Sequence, residues 1–505
     1  MTRKWRFVPV QLLTCLILLL VLLSPGQGAP PALAQSSGIA WSRPLNLSAS
    51  PSGSSHPAIV ADSYGLVHVF WSEDMGGPAM LPDDPLPTGN SIFYSQRNGD
   101  TWTPPVDVLS VPDDAVADFV SVAVDPDNNL HVVWTGQSNF YYSTASSPQA
   151  YSARAWTKPI VIASDSARSS WPISIATSGS GLLHVVYATR GSEPGVYYIR
   201  GENGAANWDA PVKLSAELDA LETSFANVRI VADTADRLHV VWQTDQREGY
   251  GQAIYYAHSQ DDGKSWSTPV QLAYRGPLDF DVGWPFLVVK GKSELHLIYN
   301  AGSRPIGRYH RISLDGGETW GGAEQIIPEL EGINGYVVSI IDGSDQLHLI
   351  IDMRTRATQV VGLYYSRWSD NAWSPALPIA TDSPYGPSAH YTAAAVRLGN
   401  EIDVVWTELD VGEIWYMQGV VPGVAAVPAR PIEVSGILAD ATPAPTVQAL
   451  SRPTATRQGI ALVDSTPMSS SALSTGTTSL FSIGIPALVV LAGFLWAWIQ
   501  IKERS

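Results

Sequence analysis

The sequence of 505 residues is poor in charge and rich in aromatic residues: 15% of residues are Asp, Glu, Lys or Arg, and there are 18 Trp, 20 Tyr, 42 Gly and 37 Pro. Soluble domains average about 25% charged residues, and helical bundles, coiled coils and disordered chains have other compositions. The net charge of −17 disfavours the basic surface that nucleic-acid binding requires. Composition therefore argues against a disordered chain, a helical bundle and a nucleic-acid partner.

The first 34 residues have the pattern of a secretory signal peptide. Three basic residues precede an apolar run over residues 10–23, and residues 32–34 fit a small-x-small cleavage site. The alternative is an uncleaved anchor, for which the apolar run is short. The only cysteine, Cys15, lies in this run, so we expect the secreted part to fold without a disulfide.

One strand-like segment recurs seven times between residues 35 and 420. Its first copy is Leu66-Val67-His68-Val69-Phe70-Trp71, and such β-branched and aromatic runs are typical of strands. The repeated polar position is His in six copies and Asp in the seventh. A group that recurs in this way is expected to be structural, because buried polar groups are normally hydrogen-bonded. The seven positions are His68, His131, His184, His239, His296, His348 and Asp403.

Each copy contains four strand-like segments, which is the pattern of a β-propeller blade. The third segment carries paired aromatic residues, such as Tyr141-Tyr142, and the fourth begins with Trp, as at Trp156. The seventh copy lacks the Trp segment, whereas an unpaired one begins at Trp41. We therefore predict an all-β, seven-bladed β-propeller over residues 35–420, in which the N-terminal strand completes the last blade and removes the open sheet edges.

Two turns before the fourth segment share the pattern S-x-D-x-G-x-x-W. In such a turn the aspartate accepts hydrogen bonds from turn amides, the glycine permits a positive φ, and the tryptophan packs the next strand. The turn before Trp102 has Arg97 where the aspartate belongs. The two complete copies comprise Ser259, Asp261, Gly263 and Trp266, and Ser313, Asp315, Gly317 and Trp320.

These turns resemble the Asp boxes, or BNR repeats, of the sialidase superfamily. The resemblance implies a propeller fold for residues 38–420 and a structural role for the boxes, which lie opposite the active site in that family. Sialidases have six blades, so six blades is the alternative to the seven counted here. They hold the carboxylate of sialic acid with three arginines, and they use a tyrosine nucleophile supported by a glutamate, with an aspartate as acid and base.

The loops that enter the first strand and leave the second share one end of a propeller, where ligands usually bind. Near the start of the first strand, all seven copies carry an aromatic residue or a histidine. Such rings stack on sugars and on apolar ligands, and the alternative is that they plug the central channel. This ring comprises His56, Phe119, Trp171, Phe225, Trp284, Tyr336 and Tyr391.

Charged residues on the same loops supply the other candidate site residues. Arginines form forked hydrogen bonds with carboxylates, so we expect a site for an acidic ligand here; the alternative is that they pair with neighbouring acids. The arginines are Arg168, Arg190, Arg275, Arg304 and Arg354. The candidate catalytic residues are Asp74, Glu248 and Tyr250.

Part of the sequence signature of sialidases is missing from this chain. The Arg-Ile-Pro motif of the family has only a partial counterpart, Arg229-Ile230-Val231. No metal-ligand spacing, glycine-rich phosphate loop or nucleophile elbow occurs, so we predict no metal and no cofactor.

The C-terminal part of the sequence predicts attachment to a membrane. Residues 421–479 are rich in Pro, Ala, Ser and Thr and predict an unstructured stalk. Residues 480–501 carry no charge and are long enough to cross a bilayer. The basic residues in the tail, 502–505, predict that it is cytoplasmic. We therefore expect a single-pass cell-surface protein with its propeller outside.

Three functions remain open from the sequence. The first is recognition of a glycan or a surface protein through the aromatic ring and the arginines. The second is an exo-acting glycoside hydrolase of the sialidase type, and the third is a structural surface scaffold. We favour recognition because catalytic motifs are missing, and we leave open whether the protein is an enzyme.

Overall fold

The computed structural model describes residues 38–75, 90–111, 114, 116–165, 172–202, 207–218, 224–245, 251–279, 281–303, 306–332, 336–357, 361–381, 389–408 and 411–432. In these ranges helix is limited to three short 3-10 turns, Ser147–Gln149, Ala153–Ala155 and Ala216–Leu218. None of the helices in these ranges has the length and apolarity needed to span a bilayer. The predicted signal peptide (1–34), transmembrane helix (480–501) and tail (502–505) lie outside the described residues.

Seven antiparallel sheets follow one another along the chain, and each sheet is one blade of a β-propeller. The strands of a blade pair in sequence order, so each blade is a meander with its first strand at the centre of the molecule. The prediction of seven blades rather than six is confirmed. The first strands are Ser54–Ala61, Asp118–Val124, Ser174–Thr177, Phe225–Ala232, Asp281–Lys290, Val337–Ile341 and Ala389–Arg397.

The second and third strands form the middle of each blade and contain its most apolar residues. The second strands are Val67–Glu73, Asn129–Thr135, Leu183–Thr189, Leu238–Asp245, Glu294–Gly302, Leu347–Thr355 and Glu401–Glu408. The third strands are Ser91–Asn98, Asn139–Ser146, Gly195–Gly201, Gly251–Ser259, Gly307–Ser313, Val361–Ser369 and Glu413–Val420. Their side chains pack between neighbouring blades; one such cluster joins Val186 and Tyr198 of blade three to Phe225 and Trp242 of blade four.

The seventh blade takes its outer strand from the N-terminus, as predicted. Ala40 pairs with Val420, and Leu45 pairs with Tyr416. The two ends of the propeller are thus joined in one sheet, which closes the ring. The outer strands are Thr101–Trp102 with Val106–Leu109, Ile160–Ser164, Val212–Lys213, Val270–Tyr274, Glu324–Ile326, Ala372–Trp373 with Leu377–Ala380, and Ala40–Trp41 with Leu45–Asn46; a further short strand, Leu330–Glu331, pairs with the second strand of blade six.

The propeller has two different ends. The loop end contains the residues that enter the first strand and leave the second, such as His56 and Glu73 in blade one. The turn end contains the short turns between the first and second strands, such as residues 62–66, and those between the third and fourth. Residues 421–432, the start of the predicted stalk, contact the turn end, where the Val427 amide donates to the Leu398 carbonyl at 2.8 Å.

A histidine, a tyrosine and a tryptophan join neighbouring blades at the turn end. In blade two, His131 Nδ1 lies 2.7 Å from the Tyr142 hydroxyl on the third strand. The tryptophan that begins the fourth strand of the next blade packs edge-on against this tyrosine. Seven such pairs occur around the ring, and their ring centroids are 4.8 to 6.4 Å apart; in one pair a histidine takes the place of the tyrosine. The pairs are Trp102–Tyr416, Trp156–Tyr94, Trp208–Tyr142, Trp266–Tyr198, Trp320–Tyr256, Trp373–His310 and Trp41–Tyr365.

The other nitrogen of the repeated histidine is held by the turn between the first and second strands. His131 Nε2 lies 3.1 Å from a carboxylate oxygen of Asp125, whose other oxygen accepts the Asn129 amide at 2.7 Å. Burial would raise the pKa of Asp125, but the hydrogen bonds from His131 and Asn129 outweigh burial and hold that pKa below its ordinary value. The repeated histidine therefore has the structural role expected of it.

The two complete S-x-D-x-G-x-x-W turns have the same hydrogen bonds. Ser259 Oγ accepts the Gly263 amide at 2.9 Å, and Asp261 Oδ1 accepts the Ser265 amide at 2.8 Å. The glycine has φ = 83°, and a Cβ at this position would collide with the Tyr198 hydroxyl of the preceding blade. The turn therefore needs glycine both for its backbone conformation and for its contact with the preceding blade.

Blades seven and one meet through a different set of residues. Asp403 replaces the repeated histidine, and its Oδ1 accepts a hydrogen bond from the Tyr416 hydroxyl at 2.5 Å. Arg97 of blade one pairs with Val67 as Ser259 pairs with Leu238, so it takes the place of the turn serine and not, as the sequence suggested, of the aspartate. It donates to Asp403 at 3.1 Å and to Tyr416 at 2.8 Å. The two departures from the repeat are thus partners across the seam that closes the ring.

Candidate functional site

The first strands of all seven blades surround a central cavity of about 250 Å³. Each strand contributes its loop-end residues, for example His56 to Ile59 in blade one and Trp284 to Phe286 in blade five. The described lining residues include no Asp or Glu, and the only Arg or Lys among them is Arg229. This absence of carboxylates is notable because the chain has 47 acidic residues.

A β-bulge interrupts the first strand of five blades at the same place. Pairing with the second strand skips two residues there, and the first of them has φ between 46 and 54°. Bulky residues rarely adopt this conformation, which costs about 1–3 kcal/mol where it is enforced. All five residues line the cavity, so the bulge aims one side chain per blade into it. They are His56, Phe119, Asn227, Trp284 and Tyr391.

Four of these positions, together with Tyr336 of blade six, form a continuous cluster of rings at the loop end, which we call the aromatic cluster. Its members are Phe119, His56, Tyr391, Tyr336 and Trp284, and successive centroids in this order are 4.1, 3.9, 4.5 and 4.8 Å apart. Apart from His56, the rings are partly exposed. The structure thus brings together the predicted residues Trp284, Tyr336 and Tyr391.

Blade four differs from the sequence prediction, which placed Phe225 in the ring. Asn227 occupies the bulge instead, and Phe225 is fully buried between blades three and four. The Asn227 amide group donates to Gln243 Oε1 at 2.8 Å, and the Trp284 backbone amide donates to the same oxygen at 2.8 Å. The predicted ring residue of blade three, Trp171, lies outside the described residues.

Two histidines of the loop end are paired with buried carboxylates. His56 Nδ1 lies 2.7 Å from Asp118 Oδ1, which leaves its Nε2 buried without a hydrogen-bond partner among the described residues. His390 Nδ1 lies 3.1 Å from Asp352 Oδ2, and its ring packs edge-on against Tyr336. His390 was missed from the sequence, where its position beside Tyr391 was the only signal.

Arg229 lies in the cavity, two residues beyond the bulge of blade four. Its guanidinium is 4.2 Å from the centroid of the Phe286 ring, a cation–π contact. Burial lowers the pKa of Arg229 to about 10, so the side chain still carries its charge at neutral pH. In the sequence, Arg229 was noted only as part of the incomplete Arg-Ile-Pro motif.

Two of the predicted arginines are paired with acids of neighbouring segments. Arg190 Nη2 lies 2.9 Å from Asp245 Oδ2, and Arg354 Nε lies 3.1 Å from Glu331 Oε1. Neither of them, nor Arg275, is among the described residues that line the cavity. Arg168 and Arg304 lie outside the described residues.

The candidate catalytic residues are described only in part. Asp74 is half-buried at the end of the second strand of blade one, and its backbone amide donates to the Gly53 carbonyl at 2.8 Å. Glu248 and Tyr250 lie outside the described residues. Asp245, at the edge of that segment, is buried, and burial raises its pKa to about 6.

A second buried cation lies between blades five and six. Arg308 is fully buried, and none of its three guanidinium nitrogens has a hydrogen-bond partner among the described residues. Burial lowers the pKa of Arg308 to about 10, and the nearest carboxylates that oppose this shift are Asp352 and Asp281. Arg308 does not line the described cavity, so a ligand there would have no access to it.

Comparisons with known proteins identify the fold. No protein-family model and no curated protein matches the sequence. A lectin from Burkholderia pseudomallei is 14% identical, with 75% of this chain and 100% of the lectin covered and a TM-score of 0.51. An ulvan lyase is 10% identical, with 75% and 96% covered and a TM-score of 0.51. The intramolecular trans-sialidase of Ruminococcus gnavus is 10% identical, with 74% and 96% covered and a TM-score of 0.44. The likeness to the lectin and the lyase shows the fold alone, a β-propeller.

Proposed function

We propose that the propeller binds a glycan at the loop end of its channel. This proposal rests on the aromatic cluster. Sugar rings present apolar faces that stack on aromatic side chains, and their hydroxyls need polar partners nearby. The loop end offers both, because the partly exposed Trp284, Tyr336 and Tyr391 adjoin the polar Asn227 and His56.

The conformation of the cluster supports a binding role over simple filling of the channel. Apolar packing needs no strained backbone, yet bulky side chains are held at positive φ in four blades. Strain that recurs at one position and points side chains to one cavity is typical of a preorganised site. We also propose that the chain belongs to the sialidase superfamily and that it displays this end at a cell surface.

A glycan array probed with the full-length chain tests the proposal, with Trp284→Ala as the variant. We expect bound glycans on the array and a loss of at least tenfold in affinity for the variant, because stacking on a large ring contributes much of the energy of such sites. The matched control is Tyr151→Ala, since Tyr151 is an exposed aromatic residue outside the cavity. Binding that survives Trp284→Ala, or no glycan bound at all, would contradict the proposal.

A glycoside hydrolase is the second candidate function. The observation that favours it is Asp245, a buried carboxyl with a pKa of about 6, which is the range of a general acid at neutral pH. Turnover of a fluorogenic sialoside measured beside the array separates the two functions. We expect no turnover; hydrolysis that disappears in Asp245→Asn would assign the loop end to catalysis.

A further inference from the structure

We infer that His56 accepts a hydrogen bond from a sugar hydroxyl inside the channel, and that Asp118 holds the imidazole in the form that can accept it. This inference rests on the proposed function and names the class of sugar, one that has a free hydroxyl at the position next to His56. In this role His56 determines specificity, and Asp118 is a positioning residue.

The contacts of Asp118 fix the place of the proton on the His56 ring. Asp118 Oδ1 lies 2.7 Å from His56 Nδ1. The same oxygen accepts hydrogen bonds from the Ser72 hydroxyl at 2.7 Å and from the Phe119 amide at 2.8 Å. Because this oxygen is the acceptor in all three contacts, Nδ1 carries a proton. In a neutral imidazole the other nitrogen, Nε2, is then an acceptor.

The acceptor nitrogen of His56 is buried and has no hydrogen-bond partner among the described residues. A histidine of the turn end shows the contrast: His348 Nδ1 lies 2.8 Å from the Tyr365 hydroxyl, and its Nε2 lies 3.1 Å from a carboxylate oxygen of Asp342. Buried polar atoms are normally paired, and an unpaired one costs free energy. Since His56 lines the cavity, a hydroxyl that enters the cavity can supply the missing hydrogen bond.

Two aromatic rings hold the His56 side chain in this orientation. Its ring centroid lies 4.1 Å from that of Phe119 and 3.9 Å from that of Tyr391. The backbone of His56 has φ = 50° at the bulge of blade one. A ring that is packed by two neighbours and hydrogen-bonded to a carboxylate is preorganised, so it loses little conformational freedom when a ligand binds.

Thr392 offers a second polar atom to the same sugar. It lines the cavity, and its Oγ1 is buried without a hydrogen-bond partner among the described residues. A hydroxyl can both donate and accept. Tyr391 contacts His56 and precedes Thr392 in the chain, so a sugar ring stacked on Tyr391 brings its hydroxyls close to both groups.

The experiment is a glycan array that holds each neutral oligosaccharide beside analogues in which one hydroxyl is replaced by hydrogen. The full-length chain is compared with His56→Phe, which keeps a ring without nitrogen, and with His56→Gln, which keeps a polar group. We expect the wild type to lose at least tenfold in affinity for the analogue altered next to His56, because Nε2 is then left buried and unpaired. His56→Phe should remove this preference, and His56→Gln should restore part of it.

Deoxyfluoro analogues test the role of Asp118. Fluorine at the same position can accept a weak hydrogen bond but cannot donate one. The wild type should therefore reject the deoxyfluoro analogue as strongly as the deoxy analogue. In Asp118→Ala the proton can move to Nε2, so this variant should bind the deoxyfluoro analogue more tightly than the deoxy one. A wild type that binds the deoxyfluoro analogue as well as the parent would overturn the assignment of Nε2 as an acceptor.

The matched control is His390→Phe. His390 is also paired with an aspartate, Asp352, but it is not among the described residues that line the cavity. We expect this variant to keep every preference of the wild type. Thermal melting checks that the variants fold. If His56 had only a packing role, His56→Phe would change the melting temperature and leave every preference in place.

The possible results separate the two proposals. Glycans bound through Trp284 with equal affinity for the parents and all their deoxy analogues would overturn the role of His56 and keep the proposed function. Preferences that all persist in His56→Phe would also overturn that role. An array without any bound glycan would overturn the proposed function, and the role of His56 with it.

Discussion

The two ends of the propeller use their side chains in opposite ways. At the turn end, a histidine and a tyrosine are hydrogen-bonded within a blade, as His131 is with Tyr142, and the tryptophan of the next blade packs against the tyrosine. At the loop end the backbone has a strained, positive φ at five bulges, and each bulge aims one side chain into the cavity. The difference indicates that the turn end stabilises the ring, while the loop end is built for a ligand.

The largest effect that this comparison predicts is at the seam between blades seven and one. Arg97→Ala would remove the arginine that donates to the buried Asp403 and leave only Arg397 beside it, at 3.7 Å. We therefore expect a loss of about 3 kcal/mol, the lower end of the cost of breaking a buried ion pair. Chemical denaturation measures the free energy of unfolding. Arg43→Ala, at an exposed arginine near the same seam, should change it by less than about 0.5 kcal/mol.

A double variant sharpens the result at this seam. Asp403→His with Arg397→Asp restores the pair that His131 and Asp125 form in blade two, so it should be more stable than Asp403→His alone. If the double variant is no more stable than that single variant, the seam does not follow the pattern of the other blades.

The next effect is at the turns of the same end. Gly263→Ala should lower the free energy of unfolding by about 2–3 kcal/mol, because the new methyl group collides with Tyr198 and the residue stays at positive φ. Gly99→Ala is the control: Gly99 also has a positive φ, but nothing lies within 4 Å of its Cβ position. A loss in Gly263→Ala no greater than that in Gly99→Ala would show that the contact between blades contributes nothing.

The smallest effect is a dependence on pH. The pKa of Asp125 is lower in the folded state than in the unfolded chain, so its stabilising contribution is complete above the unfolded pKa of about 4 and is lost progressively as the pH falls from there through the lower pKa of the folded state. Asp125→Asn should therefore be less stable than the wild type at pH 7 by about 1–2 kcal/mol, and the difference should shrink steadily as the pH falls from 4 to 2.

The contribution of Asp403 to stability depends on pH in the opposite direction. Burial raises its pKa to about 6, so its contribution is present below about pH 4 and is lost as the pH rises through 6. The free energy of unfolding of Asp403→Asn should therefore fall furthest below that of the wild type near pH 4, and the gap should be smaller at pH 7. Parallel pH profiles for the two variants would contradict this difference between the seam and the other blades.

The sequence was sufficient to predict the blades because each repeat carries its own contacts. The tryptophan of the fourth strand and the paired aromatic residues of the third were visible as a pattern, and they are the residues that meet between blades. Trp41 showed how the ring closes, because only the seventh copy lacked its tryptophan. A contact that is repeated in each blade appears in the sequence as a repeated pattern of residues.

The loop end could not be predicted to the same depth. Asn227 lies 12 residues before His239, the spacing of the other four bulge residues, but the sequence prediction required an aromatic residue and so selected Phe225 instead. Arg229 was visible, but only the strand register shows that it faces the cavity. Arg97 and Asp403 were each seen as a departure from the repeat, yet 306 residues separate them and nothing local links them.

The five bulges also bear on how a propeller of this kind could change its ligand. Each bulge presents a single residue, and the backbone there already accepts side chains as different as His56, Asn227 and Trp284. The histidine–tyrosine–tryptophan contacts between blades lie at the other end, whereas at the loop end His56 pairs with Asp118 of blade two and contacts the ring of Tyr391 in blade seven. A substitution at a bulge other than His56 would therefore change the ligand that the site accepts and leave the contacts of the turn end intact.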